Sequence, residues 1–303
     1  MMVRTFKDIH NLAKKKGKKT IVVPSAEDKV TLLAVYKGFE EGLVDGILIG
    51  DKEKIKNLID ELNIRKDIFE ILEAESPEES ARIAVDLVRE RKAHFILKGY
   101  LHTHILLKAV LDSERGLRTG KLLSDILFAQ NPASEEERIV GMSDGGINIL
   151  PGLKEKKEIV ENAVWAFHKL GFENPKVAIL AAVEVVNPSM PATVDADELK
   201  KMNQRGEIKG CIVDGPLALD LAVSKEAAMK KGVKSEVAGE ADILIVPNIE
   251  AGNLLGKSFT YYAKVPVGHV IVGAKAPILI PSRNESDRDK LNSIALGVIF
   301  SEE

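Results

Sequence analysis

Short β-branched runs alternate with amphipathic helical stretches along this 303-residue chain, a pattern that points to α/β architecture with largely parallel strands. Strands are expected over 20–24, 45–50 and 94–99, and again over 122–128, 138–143, 176–183, 210–214 and 242–247. Ser76, Pro77 and Glu79 supply cap, first-turn proline and capping-box acid for a helix running to about residue 91. Ser25, with Asp28 three positions on, reads as an acidic variant of the same start. Further helices are expected over 155–170, closed by Gly171, and over 217–231. A strand pair at 268–273 and 277–281 leads into an amphipathic helix over 286–300. The lysines of 14–19 surround Gly17 and read as a helix C-terminus with a glycine cap rather than a basic binding patch.

Length suggests two domains of roughly 150 residues. No repeat or flexible linker separates them, and the glycines at 116–120 mark only a soft boundary. The 43 basic and 46 acidic residues leave a net charge of −3, so no bulk field attracts nucleic acid or an anionic membrane, and an anion must be held locally. Aromatics are 5%, too few to suggest base-stacking platforms. The single Cys211 excludes an intrachain disulfide and a cysteine-rich metal cluster, and its apolar strand context reads as core. The N-terminal residues lack a signal-peptide pattern and no run approaches a membrane span, so a cytoplasmic protein is expected.

The most informative segment is 281–289, which follows an apolar strand and opens a helix. Amides at such a junction favour an anion, and Arg283 adds a planar donor fork. Asp289 falls in the first turn, where a carboxylate near Ser282 and Arg283 could take a proton from a thiol or hydroxyl. The same residues also fit a plain structural role, with Ser286 as cap, Asp289 as capping-box acid and Arg283 in a surface ion pair.

Residues 251–258 nearly reproduce a nucleotide-binding phosphate loop, but Ala251 stands where glycine is wanted, and Leu254 and Leu255 are bulky. A P-loop nucleotide hydrolase is therefore an alternative of a different class. Asn248 and Asn253, flanking Gly252, read instead as polar groups shaping a strand-to-helix turn that faces a cleft. The loop after 94–99 offers Lys98, Thr103 and Lys108 as anion contacts; His102 and His104 lack a second ligand cluster for a metal. Ser143 and Asp144 precede Gly145 and Gly146, where a ligand could approach the backbone or the chain could simply turn.

Taken together, Pro247 to Asn253, Val237 to Asp242, Val213 to Pro216, and Ser282-Arg283 with Asp289 resemble the phosphate acetyltransferase and phosphate butyryltransferase family over essentially the whole chain. The resemblance implies two α/β domains with an intervening cleft, like isocitrate and isopropylmalate dehydrogenases. The first domain would comprise 1–121 plus 273–303 and the second 122–272. It implies acyl transfer between coenzyme A and inorganic phosphate, with acyl-CoA and acyl phosphate as the other partners. No metal or permanently bound cofactor is expected, and a homo-oligomer, dimer or larger, is. By resemblance, Asp289 would be the base for the thiol, Ser282 would position the sulfur, and Arg283 would hold phosphate and the developing oxyanion. Asn248, Gly252, Asn253, Tyr261, Thr103, Lys108, Ser143 and Asp144 would line the substrates. Tyr261 stands where acetyl-specific members carry arginine, which suits a roomier apolar acyl pocket and tilts the expectation from acetyl toward butyryl. A non-catalytic CoA-binding protein is a further alternative, disfavoured because Ser282, Arg283 and Asp289 occur together.

Overall fold

The structure, a computed structural model, describes residues 3–134 and 136–301. Its elements run α1 (Phe6–Lys16), β1 (Lys19–Pro24), α2 (Lys29–Glu40), β2 (Val44–Gly50), α3 (Lys52–Glu61), β3 (Glu70–Glu73), α4 (Pro77–Arg89), β4 (Phe95–Leu97) and α5 (Thr103–Val110). Next come β5 (Ser124–Gln130), β6 (Ile139–Ser143), α6 (Leu153–Lys169), β7 (Lys176–Leu180), α7 (Pro191–Gln204), β8 (Ile212–Leu217), α8 (Leu219–Val223), α9 (Lys225–Lys230), β9 (Ile243–Ile245) and α10 (Ile249–Tyr261). The chain closes with β10 (Val267–Val272), β11 (Ile278–Leu279) and α11 (Asp287–Phe300).

These elements form two compact units. The terminal unit comprises 7–121 and 268–301; the central unit comprises 3–6 and 122–267. The last break therefore falls before the bulk of β10, five residues ahead of the expected 272/273, because β10 pairs antiparallel with β11 through Ile271 and Ile278.

In the terminal unit the strand order is β3-β2-β1-β4-β11-β10, parallel except at the β10–β11 pair. Ile21, Val22 and Val23 of β1 are all fully buried, as a strand covered on both faces requires. Gly17, with φ +83°, ends α1 after its three terminal lysines, as expected. The entry to α2 differs from expectation. Asp28 itself is the cap, accepting from Thr31 N–H at 2.8 Å, while Ser25 lies upstream with φ +50°. β11 is only two residues long, bracketed by Pro277 and Pro281, which have no N–H to give a ladder. Helix α11 is not amphipathic: every residue from Lys290 to Phe300 is buried. It packs against α2, and its Gly297 admits the Phe95 ring so closely that a Cβ there would lie 2.6 Å from it.

The central unit orders its strands β5-β6-β9-β7-β8, with only β5 and β6 antiparallel. Leu127, Val140, Met142, Leu244 and Phe259 lie in one hydrophobic core, while Phe128 stacks on Phe167, which Phe172 meets edge to face. Gly171, φ +89°, terminates α6 as expected. The helix expected over 217–231 is two short helices, because Ser224 caps α9 through the Ala227 N–H.

Candidate active site

In the terminal unit β1, β4 and β11 run parallel, so the segments that follow them leave the same edge of the sheet. Backbone hydrogen bonds stitch those segments together. Lys98 N–H donates to Leu279 O at 2.9 Å, Gly99 N–H to Pro24 O at 3.1 Å, and Tyr100 N–H to Ser25 O at 2.6 Å. Gly99 is required by this closeness, since a Cβ there would lie 2.1 Å from Ser25 O. The carboxyl edge of a parallel sheet is where α/β folds hold ligands.

The loop from β11 to α11 carries Ser282, Arg283 and Asp289. Ser282 and Arg283 are exposed and Asp289 is half-buried. Ser282 is fixed by its backbone: its N–H donates to Glu285 Oε1 at 3.0 Å, and its carbonyl accepts from Lys290 Nζ at 3.2 Å. The Arg283 guanidinium lies over the Tyr100 ring, 4.9 Å from its centroid. Ser286 Oγ accepts from Asp289 N–H at 3.2 Å and donates to Asp289 Oδ2 at 2.6 Å, so the capping expected from the sequence is present and orients the carboxylate. Glu285 is buried, and its Oε1 also meets His269 Nε2 at 3.2 Å. Burial pushes its pKa up, but His269, the Ser282 amide and Lys290 outweigh that and hold it below the ordinary glutamate value.

Thr103 opens α5, half-buried at the same edge. Lys108 lies five residues along, roughly 7.5 Å down the helix axis. It lines an α4–α5 cavity of about 330 Å³ with Arg82, Asp86 and Arg115. The structure therefore puts Lys108 in that groove rather than with the edge loops. His102 and His104 stack on each other, with ring centroids 5.6 Å apart.

The remaining candidates belong to the central unit, where β6 and β9 are parallel neighbours. Asn248 caps α10, its Oδ1 accepting from Ala251 N–H at 2.9 Å. Gly252 packs backbone to backbone on the loop after β6: a Cβ there would lie 2.6 Å from Gly145 Cα and 2.8 Å from Asp144 O. Residues 251–258 are helical throughout, and Gly252 N–H is already bonded to Asn248 O. Such amides cannot cradle a triphosphate, which removes the P-loop reading.

Ser143 is fully buried and its hydroxyl donates to Asp125 O at 2.8 Å, so it supports the loop from beneath instead of facing a ligand. Asp144 organises the same loop. Its Oδ1 accepts from the Gly146 and Ile147 amides at 2.8 and 2.9 Å, and its Oδ2 from Asn148 Nδ2 at 2.5 Å. Burial, reinforced by the charge of Asp125, pushes its pKa up to about 6. Asn253 and Tyr261 are both exposed on α10. Cys211 is buried, and burial followed by the charge of Glu161 pushes its thiol up to about 11, as befits a core residue.

The family model described as "Phosphate acetyl/butaryl transferase" matches residues 4–94 and 77–298, a range that takes in every candidate named above. This chain belongs to the phosphate acetyl/butyryl transferase family. Among the family's members, phosphate butyryltransferase of Clostridium acetobutylicum is 43% identical over 300 residues, 99% of each chain. Phosphate acetyltransferase of Thermotoga maritima is 43% identical over 290 residues, 96% of this chain and 97% of that one. A crystal structure of a branched-chain phosphotransacylase from Enterococcus faecalis superposes with TM-score 0.82 at 33% identity, covering 94% of this chain and all of that one. The family resemblance expected from the sequence is thus borne out, and with it an α/β acyltransferase fold. No helix among the described residues is long and apolar enough to cross a membrane.

Tyr100, Glu285, His269 and Lys290 surround the C-terminal loop and were not singled out from the sequence. Lys290 carries no signal of its own, because Arg288, Asp289, Asn292 and Ser293 make the opening of α11 look like an ordinary polar helix start.

Proposed function

We propose that this chain is a phosphate butyryltransferase, moving a butyryl group reversibly between coenzyme A and inorganic phosphate. The observation that carries the reading is the β11–α11 loop, which presents Ser282 and Arg283 at a parallel sheet edge with Asp289 oriented in the first helical turn. The compact units are read as two α/β domains of the isocitrate and isopropylmalate dehydrogenase-like kind.

In the direction of thioester formation, Asp289 takes the proton of the coenzyme A thiol, whose ordinary pKa of about 8.5 leaves it little ionised at neutral pH. Ser282 Oγ donates a hydrogen bond to the sulfur. The thiolate attacks the acyl carbonyl carbon, and as the carbon–oxygen bond to phosphate breaks, phosphate departs. Negative charge building on the carbonyl oxygen is met by the Arg283 guanidinium. Run backward, a phosphate oxygen attacks the thioester and the thiolate recovers its proton from Asp289. Both substrates are held together and the enzyme forms no covalent bond to the acyl group.

Asn253 and Tyr261 on α10 are assigned to the acyl-CoA substrate, Tyr261 supplying apolar surface for a chain longer than acetyl. Each additional buried CH₂ is worth about 0.8 kcal/mol. Phosphate-dependent release of free thiol across a panel of acyl-coenzyme A esters tests the reading. The highest kcat/KM should fall on butyryl-CoA. A clear acetyl preference would make this a phosphate acetyltransferase, the activity named for the Thermotoga relative, and no release from any ester would overturn the proposal.

A further inference from the structure

Two buried lysines stand beside the proposed catalytic loop. Lys98, which follows β4, is 6% exposed, and Lys290, in the first turn of α11, is 3% exposed. Among the described residues Lys98 Nζ reaches the carbonyls of Gly99 and Leu101 alone, at the long distances of 3.4 and 3.3 Å. Lys290 Nζ reaches, among the described residues, Ser282 O alone. Among the described residues neither ammonium has a carboxylate within ion-pair distance.

Such an arrangement is electrostatically costly. A buried charge needs a partner, and Lys290 sits at the end of α11 where the helix dipole is already positive. The acidic groups facing the pair are Asp28 and Glu285. Asp28 is engaged in capping α2 and Glu285 is bound to His269. Among the described residues the two lysines thus face two carboxylates that are engaged elsewhere, and Arg283 adds its positive charge beside Lys98. Burial first, then the positive charges of Lys290 and Arg283, draws the Lys98 pKa down to about 8.

We infer that Lys98 and Lys290, together with Arg283, form the binding site of a tetrahedral phosphate dianion: inorganic phosphate in one direction of the proposed reaction and the phosphoryl group of the acyl phosphate in the other. This rests on the acyltransferase reading and adds to it the residues that hold the second substrate. Phosphate chemistry also occurs on coenzyme A, and the test separates the two sources.

Lys98→Met and Lys290→Met should each raise KM for inorganic phosphate at least about tenfold, as loss of a charge-assisted contact does, while KM for butyryl-CoA stays within about twofold. A rise confined to the butyryl-CoA KM would assign the lysines to coenzyme A and overturn the inference. The wild-type protein supplies a second arm that needs no variant. Sulfate, a dianion that does not titrate, is added by calorimetry at pH 8 in buffers of different ionisation enthalpy. Because Lys98 is about half-protonated there, sulfate binding should draw up to about half a proton from the buffer. Binding without proton uptake, or no binding at millimolar sulfate, would overturn the site. Absence of thiol release from any ester would refute the acyltransferase reading and leave the sulfate result standing by itself.

Discussion

The guanidinium of Arg283 rests on the face of Tyr100, 4.9 Å from the ring centroid, joining the β11–α11 loop to the turn after β4. Tyr100 is more than half exposed, so the contact is worth about 0.5–1 kcal/mol. Tyr100 is thus a positioning residue for the proposed phosphate ligand. Tyr100→Ala should raise KM for phosphate roughly two- to fivefold, while Tyr100→Phe, which keeps the ring, should leave it nearly unchanged. Initial rates at varied phosphate check this, and equal effects from the two variants would show that the ring face does not matter.

Asp289 and Ser286 exchange two hydrogen bonds, yet the proposal gives them different work. Asp289→Asn keeps an oxygen for the Ser286 hydroxyl but loses the base, so kcat should fall at least about a hundredfold with little change in Tm. Ser286→Ala removes the cap, which costs about 1 kcal/mol and lowers Tm by roughly 2 °C, with a much smaller effect on kcat. Steady-state kinetics and thermal melts on both variants separate the roles. Near-wild-type turnover in Asp289→Asn would remove it as the base.

How far the site could be read in advance depended on the range over which each residue acts. Ser286 and Asp289, Asn248 and Ala251, and Gly17 are local arrangements, decided within four residues of chain, and such signals are legible in a sequence. The break at Ser224 was local too, but a good cap within a helical pattern looks like any other serine until packing selects it. Tyr100 under Arg283 and His269 beside Glu285 join residues 183 and 16 positions apart, and only the parallel register of β4 and β11 and the β10–β11 pairing bring them together. The all-round burial of α11 was hidden for a related reason. Lys290, Asn292 and Ser293 read as a polar face, yet each is buried. Ser293 accepts from His269 N–H and Asn292 meets His10, contacts the pattern within the helix does not announce.

The Glu285 carboxylate should leave a signature in the pH dependence of stability. Its folded pKa lies below the unfolded value, so the stability it contributes is present above about pH 4.5 and is lost as pH falls through the folded pKa. Glu285→Gln replaces the buried carboxylate that meets His269 Nε2 and the Ser282 amide, and should lower the unfolding free energy at pH 7 by about 1–3 kcal/mol. The two proteins should then converge on acidification, because protonation removes the same charge from the wild type. Urea unfolding at pH 7 and pH 3.5 measures both effects, and parallel losses in the two proteins would show that Glu285 is not the group responsible.

Asp144 sets two opposing effects against each other. Its pKa is raised from 3.8 to about 6, so at pH 7 the ionised carboxylate costs the folded state about 3 kcal/mol relative to a neutral group. Asp144→Asn would relieve that cost. Yet both carboxylate oxygens accept from N–H groups: Gly146 and Ile147 at one, Asn148 and the Asp125 amide at the other. Whichever way an asparagine side chain turns, its NH₂ meets at least two buried donors, at about 1–3 kcal/mol for each donor orphaned, with repulsion added. The donors should win, leaving Asp144→Asn less stable at pH 7 by about 1–3 kcal/mol. The sign with pH follows from the raised pKa: the folded wild type binds this proton more tightly than the unfolded chain does, so on this group alone its stability rises as pH falls from about 6 toward 3.8. The gap between wild type and variant should therefore widen from pH 7 to pH 4.5. Denaturant unfolding at both values decides it, and a variant more stable than wild type at pH 7 would mean that desolvation of the carboxylate, rather than its donors, governs this loop.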